Sequence, residues 1–276
     1  MSTISSRAAA SRSQSDRWST LFFGLLGLSM LALLLTPWPM QEKAMAILHG
    51  LCAQQPGHSF WFGDRRLPFD ARMTGIYGGF LISQLYFLLR RRLRVTEIPS
   101  LAIVIALTLF VVAMGVDGFN SLLSGIDQPT LYEPSNLLRY STGALMGTTL
   151  GIALWLLTSN VLWCRRDQIR QPLIRGWGEL LQILTLAAIF GMLAASGRPV
   201  LYTPITLLLI VSAVIVLFTM ALALIQLARR RDATVTALGE LAGPAVGALL
   251  SAYLVLAILG GGRFLLEGML HIQPML

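Results

Sequence analysis

Arg72, Asp117 and Arg139 each stand where a long apolar run begins or ends, and alternation of the runs places all three at one depth. Two chemistries are open to charges so placed. Ionisable groups at a membrane boundary face the protein and pair, because a lone desolvated charge costs several kcal/mol; on that reading they clamp neighbouring helices. On the other reading they bind an anionic or polar ligand, with Tyr77, Asn120 and Asn136 as neutral hydrogen-bonding groups. Adding Asp70 to Arg72, Asp117 and Arg139 gives the set that an outer-face enzyme would use.

The remaining reactive side chains are few. Both cysteines, Cys52 and Cys164, fall on opposite sides of the expected membrane, too far apart for a disulfide. His49 and His58 flank Cys52, and with Asp70 and Met73 they are weak metal-ligand candidates whose geometry no spacing fixes. No metal and no cofactor is expected. The third histidine, His271, lies beyond the last apolar run. Glu179 and Glu240 sit within about two turns of the inner boundary, in reach of Arg175, Arg229 or Arg230. Intramembrane carboxylates are candidates for a proton or cation path, but ion pairing at the interface is the expected role. The mid-membrane polar groups Gln84 and Gln182 are neutral, and no carboxylate or histidine chain crosses the centre. No P-loop, nucleophile elbow, H-E-x-x-H or C-x-x-C occurs.

These groups need elements to hold them, and the composition says what kind. Of 276 residues, 55% are hydrophobic and 12% charged, about half the charged fraction of a soluble domain. Disorder and a disulfide scaffold are excluded by hydrophobicity and by the two cysteines. A span needs about 20 apolar residues. Seven runs qualify: Ser19–Pro37, Gly75–Leu89, Ile98–Val116, Thr142–Val161, Trp177–Ser196, Pro204–Ala228 and Val235–Leu259. The expectation is an all-α bundle of about seven membrane helices, the first a retained anchor rather than a cleaved signal. The tail, residues 1–18, reads as basic and disordered. Helices one to four occupy 19–163 and helices five to seven 164–276.

The formal net charge of +8 would suit nucleic acid, but the basic residues cluster between apolar runs. With the N-terminus inside, fourteen of the 21 Lys and Arg fall on inner segments, the positive-inside pattern. The C-terminus is then outside. On the outer face, Glu42–Gln54 has apolar residues near helical spacing and reads as an amphipathic helix lying on the surface. Ser59–Leu67 carries aromatic residues either side of Gly63-Asp64 and reads as a hairpin lid. Asp117–Tyr140 reads as a loop. Small residues every fourth position let helices approach closely in lipid: Gly75 and Gly79, Gly143, Gly147 and Gly151, and Gly239, Gly243 and Gly247. Pro244 inside the last helix should kink it.

The stretch Leu51-Cys52-Ala53-Gln54-Gln55-Pro56-Gly57-His58-Ser59-Phe60, with Gly63 and Leu67-Pro68-Phe69-Asp70-Ala71-Arg72-Met73-Thr74-Gly75-Ile76-Tyr77, resembles a family of predicted prokaryotic integral membrane proteins without an established activity. Asp117-Gly118 and Ser135–Gly147 are similar to that family's second block. The likeness runs from about Leu51 to Gly147. Where the family signature has Cys-His and a later Cys-x-x-Cys, a soft-ligand set suited to a metal, this chain keeps Cys52 alone. Ala53, Asp70 and Met73 stand at the other positions, so a Cys₃His site cannot form. The resemblance implies a relative that kept the fold without the ligands.

The leading functional expectation is a noncatalytic subunit or scaffold in a bacterial plasma membrane, within a larger bioenergetic or photosynthetic complex. Its partners would be membrane lipids and other membrane subunits, with no nucleic acid. The alternatives are a small-molecule carrier or binding protein using the outer polar residues, and a membrane enzyme with an outer-face site.

Overall fold

The computed structural model describes residues 2–270, with side chains described from residue 16 onward; His271 lies outside them. Eight α-helices are described: α1 (Ser2–Leu35), α2 (Met40–Leu48), α3 (Ala71–Leu89), α4 (Leu101–Gly125), α5 (Asn136–Leu162), α6 (Trp177–Ala195), α7 (Tyr202–Ala228) and α8 (Ala242–Met269). All but α2 coincide with the seven apolar runs. Six are long and apolar enough to cross a membrane, in the stretches Asp16–Leu35, Leu101–Gly125, Asn136–Leu162, Trp177–Ala195, Pro199–Ala228 and Leu238–Met269. The helix missing from that set is α3. It carries Arg72, Gln84 and two tyrosines and is largely buried, so it faces protein where the others face lipid.

The bundle is built around α3 and α5, its most extensive helix pair. Their glycines interlock. A Cβ on Gly75 would strike the Tyr140 carbonyl, one on Gly79 the Ala144 carbonyl, and one on Gly147 the Ile76 carbonyl. Gly143 rests on the Arg72 backbone, and Gly151 on the Ser83 side chain. Backbone thus packs on backbone, the close approach that small residues permit in lipid. Around this pair stand α4, α6 and α7, and α8 joins through α7. Phe80, Leu209 and Ala213 fill one core cluster; Phe87, Ile103 and Ile183 fill another nearer the opposite end.

One end carries a cap. Strands β1 (Ser59–Phe62) and β2 (Arg65–Asp70) form an antiparallel hairpin, turned by Gly63 at φ +68° and Asp64. Phe62, Leu67 and Phe69 point down into the core. The opposite end gathers the arginine-rich connections. There β3 (Val95–Glu97) pairs in parallel with β4 (Ile169–Pro172), and Trp163 bridges Val235.

Several local expectations are corrected. The segment Glu42–Gln54 does not lie on a surface: α2 ends at Leu48, a 3-10 turn follows, and Lys43, Ala44, Met45, Leu48 and His49 are buried. It is wedged against β2, α7 and α8, so its apolar side is covered by protein. The Asp117–Tyr140 segment is half helical, because Phe119, Leu122 and Leu123 carry α4 on to Gly125. The backbone of the serine- and alanine-rich tail is helical from Ser2, continuous with α1; its alanines, arginines and glutamine tolerate a helix well. Finally, α8 starts at Ala242 and not near Val235. Val235 instead donates to the Leu162 carbonyl and accepts from Cys164 N. Gly239 therefore lies in a 3-10 turn before the helix. Pro244 falls in the first turn of α8, where its missing N–H is not needed, so it gives no mid-helix kink.

Candidate functional site

The hairpin delivers β2 directly into α3. Asp70 is the N-cap of that helix, its Oδ1 accepting from Met73 N at 3.2 Å. Arg72 follows in the first turn and reaches α4. Its Nη2 meets Asp117 Oδ2 at 2.6 Å, the Asp117 carbonyl at 3.1 Å and Ser121 Oγ at 2.9 Å. Asp117 is 1% exposed on its side chain and needs all its partners. Thr142 Oγ1 of α5 donates to Oδ2 at 3.2 Å, and Tyr132 OH to Oδ1 at 3.0 Å. Burial, then this hydrogen bond, push the Tyr132 phenol up from its ordinary range.

Asn120, one turn on, orders the α4–α5 connection. Its Nδ2 donates to the Tyr132 carbonyl at 2.9 Å, and its Oδ1 accepts from Leu131 N at 2.7 Å. Ser135 N-caps α5 through Leu138 N. Asn136 then reaches up to the cap, its Nδ2 donating to the carbonyls of Gly57 and Ser59 at 3.3 and 3.4 Å.

Arg139 is handled differently from Arg72. It is 7% exposed, and its Nη1 donates to Asn136 Oδ1 at 3.1 Å. Among the described residues it makes no ion pair, and its buried Nε has no partner; Arg72 Nε is likewise unpartnered. Arg139 feels the charges of Arg72, Asp117 and Asp70. Two carboxylates thus lie near the two guanidinium groups: Asp117 is committed to Arg72 and Asp70 to the N-terminus of α3. His58, on the 3-10 turn before β1, lies in the same field: burial, then the Arg139 charge, hold its pKa below the ordinary 6.5, against an opposing pull from Asp70.

Of the seven candidate residues, Asp70, Arg72, Asp117, Asn120, Asn136 and Arg139 thus meet at the cap end. Tyr77 makes no side-chain hydrogen bond with them among the described residues. Its ring stacks on Phe69 with centroids 4.6 Å apart, in the core beneath the hairpin. Ser121, Tyr132 and Thr142 are the residues that sequence reasoning missed, and His58, considered there only as a weak metal ligand, stands beside this cluster. Thr142 lies three positions after Arg139, a spacing that puts both on one helix face.

A second polar cluster at the same end ties α8 to the cap. His49 is fully buried; its Nδ1 faces Gln54 Oε1 at 2.9 Å, its Nε2 faces Glu267 Oε2 at 2.8 Å, and its ring stacks on Phe264. Arg263 pairs with Glu267 at 2.7 Å and donates to the carbonyls of His49, Cys52 and Ala53. Cys52 Sγ accepts from the backbone N–H groups of Gln54 and Asp70, both at 3.4 Å. Burial, then the Asp70 charge, push its thiol up to about 12. His49 is thus engaged away from Cys52, and no cluster of three or more His, Cys, Asp or Glu that could hold a metal occurs among the described residues.

At the arginine-rich end, Glu179 meets the expected Arg175 through its backbone and adds Arg92, whereas Glu240 takes a partner that was not expected. Glu179 takes both arms of Arg92, at 2.8 and 2.5 Å, and accepts from Arg175 N at 2.8 Å. Glu240 accepts from Thr236. Arg92 lies at the end of α3, where the turn through Arg91 folds it back beneath the bundle.

The apolar helices around a buried polar cap end define a multi-pass membrane helix bundle. Residues 52–153 match the model of a family described as a predicted membrane protein (DUF2085). That stretch runs from Cys52 through the hairpin, α3 and α4 into α5, and so contains the whole Asp70–Arg139 cluster. No curated protein and no solved structure matches the chain.

Proposed function

We propose that the chain is a membrane binding or carrier protein that takes a small ligand bearing a carboxylate or phosphate at its cap end. Arg139 carries this reading: it is buried, has no carboxylate partner among the described residues, and keeps an unused Nε. A buried cation without a direct ion pair is costly, and an anion would add charge-assisted hydrogen bonds to the partial compensation that Asp117 and Asp70 give from a distance. Arg72 and Asp117 serve as the rigid floor, and Asn136 orients Arg139 while hanging from the cap. The cap faces outward in a bacterial plasma membrane on this reading. Support comes from Arg94, Arg92 and the connections around Cys164 and Val235, which meet at the opposite end.

The test is thermal unfolding of detergent-purified protein titrated with phosphate, acetate and succinate. At least one should raise the midpoint for the unaltered chain and not for Arg139→Gln. Equal responses from both proteins would reject the site, and a folded Arg139→Leu chain with no anion response would separate binding from a purely structural clamp.

A second reading, a noncatalytic subunit or scaffold of a larger membrane complex, is favoured by α1 and α4. Their apolar stretches are 0% and 17% buried within the chain, leaving faces for another subunit or for lipid. Native mass spectrometry after gentle solubilisation would show a defined partner if that reading holds.

A further inference from the structure

A cavity of about 820 Å³ opens between α1, α7, α8 and α2, and no residue of the Arg139 cluster lines it. Along α8 its wall runs from Leu249 to Phe264, about 22 Å at 1.5 Å per residue. That is deeper than one leaflet of a hydrocarbon core about 30 Å thick. The wall is almost wholly apolar. Its hydroxyls, Ser29 and Tyr253, hydrogen-bond each other at 2.8 Å, so they ask nothing polar of an occupant. A transmembrane helix of this length, 10 Å across with its side chains, would need about 1,700 Å³, twice the space present. A flexible hydrocarbon chain has a far smaller cross-section.

A charge lies next to the wall at Leu33. Lys43 is the one lysine in the chain. It is 8% exposed, and its Nζ donates to the Leu33 carbonyl at 2.7 Å, Leu33 itself lining the cavity. Among the described residues Lys43 makes no ion pair. The nearby Arg263 is already taken up by Glu267 and three carbonyls.

We infer that this cavity is a binding site for an anionic phospholipid, its acyl chain laid between α1, α7 and α8 and its phosphate beside Lys43 in the cap-end leaflet. The hydrocarbon wall selects the tail. The ammonium selects the headgroup, as basic residues near a bilayer surface do. This site is independent of the Arg139 reading.

Gly261 provides the test. It lines the cavity, and a Cβ there meets nothing within 4 Å; Gly262 is equally open but is not part of the wall. Purified protein would be titrated with phosphatidylglycerol and with phosphatidylcholine of the same chains, and bound lipid counted by native mass spectrometry. The unaltered protein should retain phosphatidylglycerol about fivefold more tightly, the preference expected from one lysine. Gly261→Phe should lose at least tenfold in retention of both lipids while Gly262→Phe keeps both. Lys43→Met should still bind phosphatidylcholine but lose the preference. Equal retention of the two lipids by the unaltered chain, or full retention by a folded Gly261→Phe, would overturn the assignment. So would an equal loss in Gly262→Phe.

Discussion

Asn136 accepts a hydrogen bond from Arg139 at 3.1 Å while its own amide group donates to the Gly57 and Ser59 carbonyls of the cap. One carboxamide therefore sets both where the cap sits and where the guanidinium points. Replacing it with alanine should cost about 1 kcal/mol, the net worth of such bonds. It should weaken anion binding more than it lowers the unfolding midpoint, with Arg139 still in place. Calorimetric titration of the purified variant, set beside its melting curve, checks the split.

Asp117 is the buried anchor for Arg72, Thr142 and Tyr132. Asp117→Asn keeps its shape and removes its charge, leaving Arg72 without a carboxylate. Breaking one half of such a pair costs about 3–5 kcal/mol, so the variant should unfold far more readily. Replacing both partners, Arg72→Met with Asp117→Leu, should recover much of that loss. Denaturant unfolding of the three proteins in detergent decides it; a single variant as stable as its parent would mean that the pair contributes nothing.

The α3–α5 seam makes a sharper demand. A Cβ at Gly147 would overlap the Ile76 carbonyl, a backbone atom that cannot rotate away. Gly147→Ala should be destabilising by about 1–3 kcal/mol, as for other overpacked sites, and Gly147→Leu should abolish the folded, monodisperse peak on size-exclusion chromatography. Gly118→Leu, with nothing within 4 Å, is the control that should be tolerated.

His58 predicts a pH dependence. Its folded pKa lies below the ordinary 6.5, so the unfolded chain binds the proton more readily. Its contribution to stability is therefore complete above pH 6.5 and declines as the pH falls from there toward the folded value. His58→Gln should flatten that part of the curve. An anion bound at Arg139 should raise the His58 pKa by cancelling one of the charges that depress it, which proton NMR of the ring would read directly.

Thiol labelling tests the orientation. In intact cells a membrane-impermeant maleimide should modify a cysteine placed at Asp64, whose side chain is 93% exposed on the hairpin turn, and should reach Cys164 only after permeabilisation. Cys52 should stay unmodified in both cases, because its thiol is buried and its pKa is pushed up to about 12. Labelling of Cys164 from outside would invert the topology.

The long apolar runs were legible because lipid imposes a length and a composition that water does not. That Arg72, Asp117 and Arg139 share a depth was legible too, because alternating spans assign one before any packing is known. Register and rotation were not. Tyr77 lies about two turns from Asp70 yet stacks on Phe69, which only the packing of β2 decides. The start of α8 was misplaced because Val235, Leu238 and Leu241 are as apolar as a span, although Val235 and Leu241 pack against Trp163 and the end of α5. His49 and Glu267 are 218 residues apart, a separation for which no local spacing leaves a trace, and so the tie between the last helix and the cap was invisible.

The glycine-lined seam of α3 and α5 has a mechanical corollary. Carbonyls seated against the facing helix's backbone act like teeth, so neither helix can slide past the other without first separating. The two must travel as a single keel. Any opening of the cap toward the bilayer centre then leaves that keel fixed, and the Glu267–His49–Gln54 chain ties α8 to the cap against it.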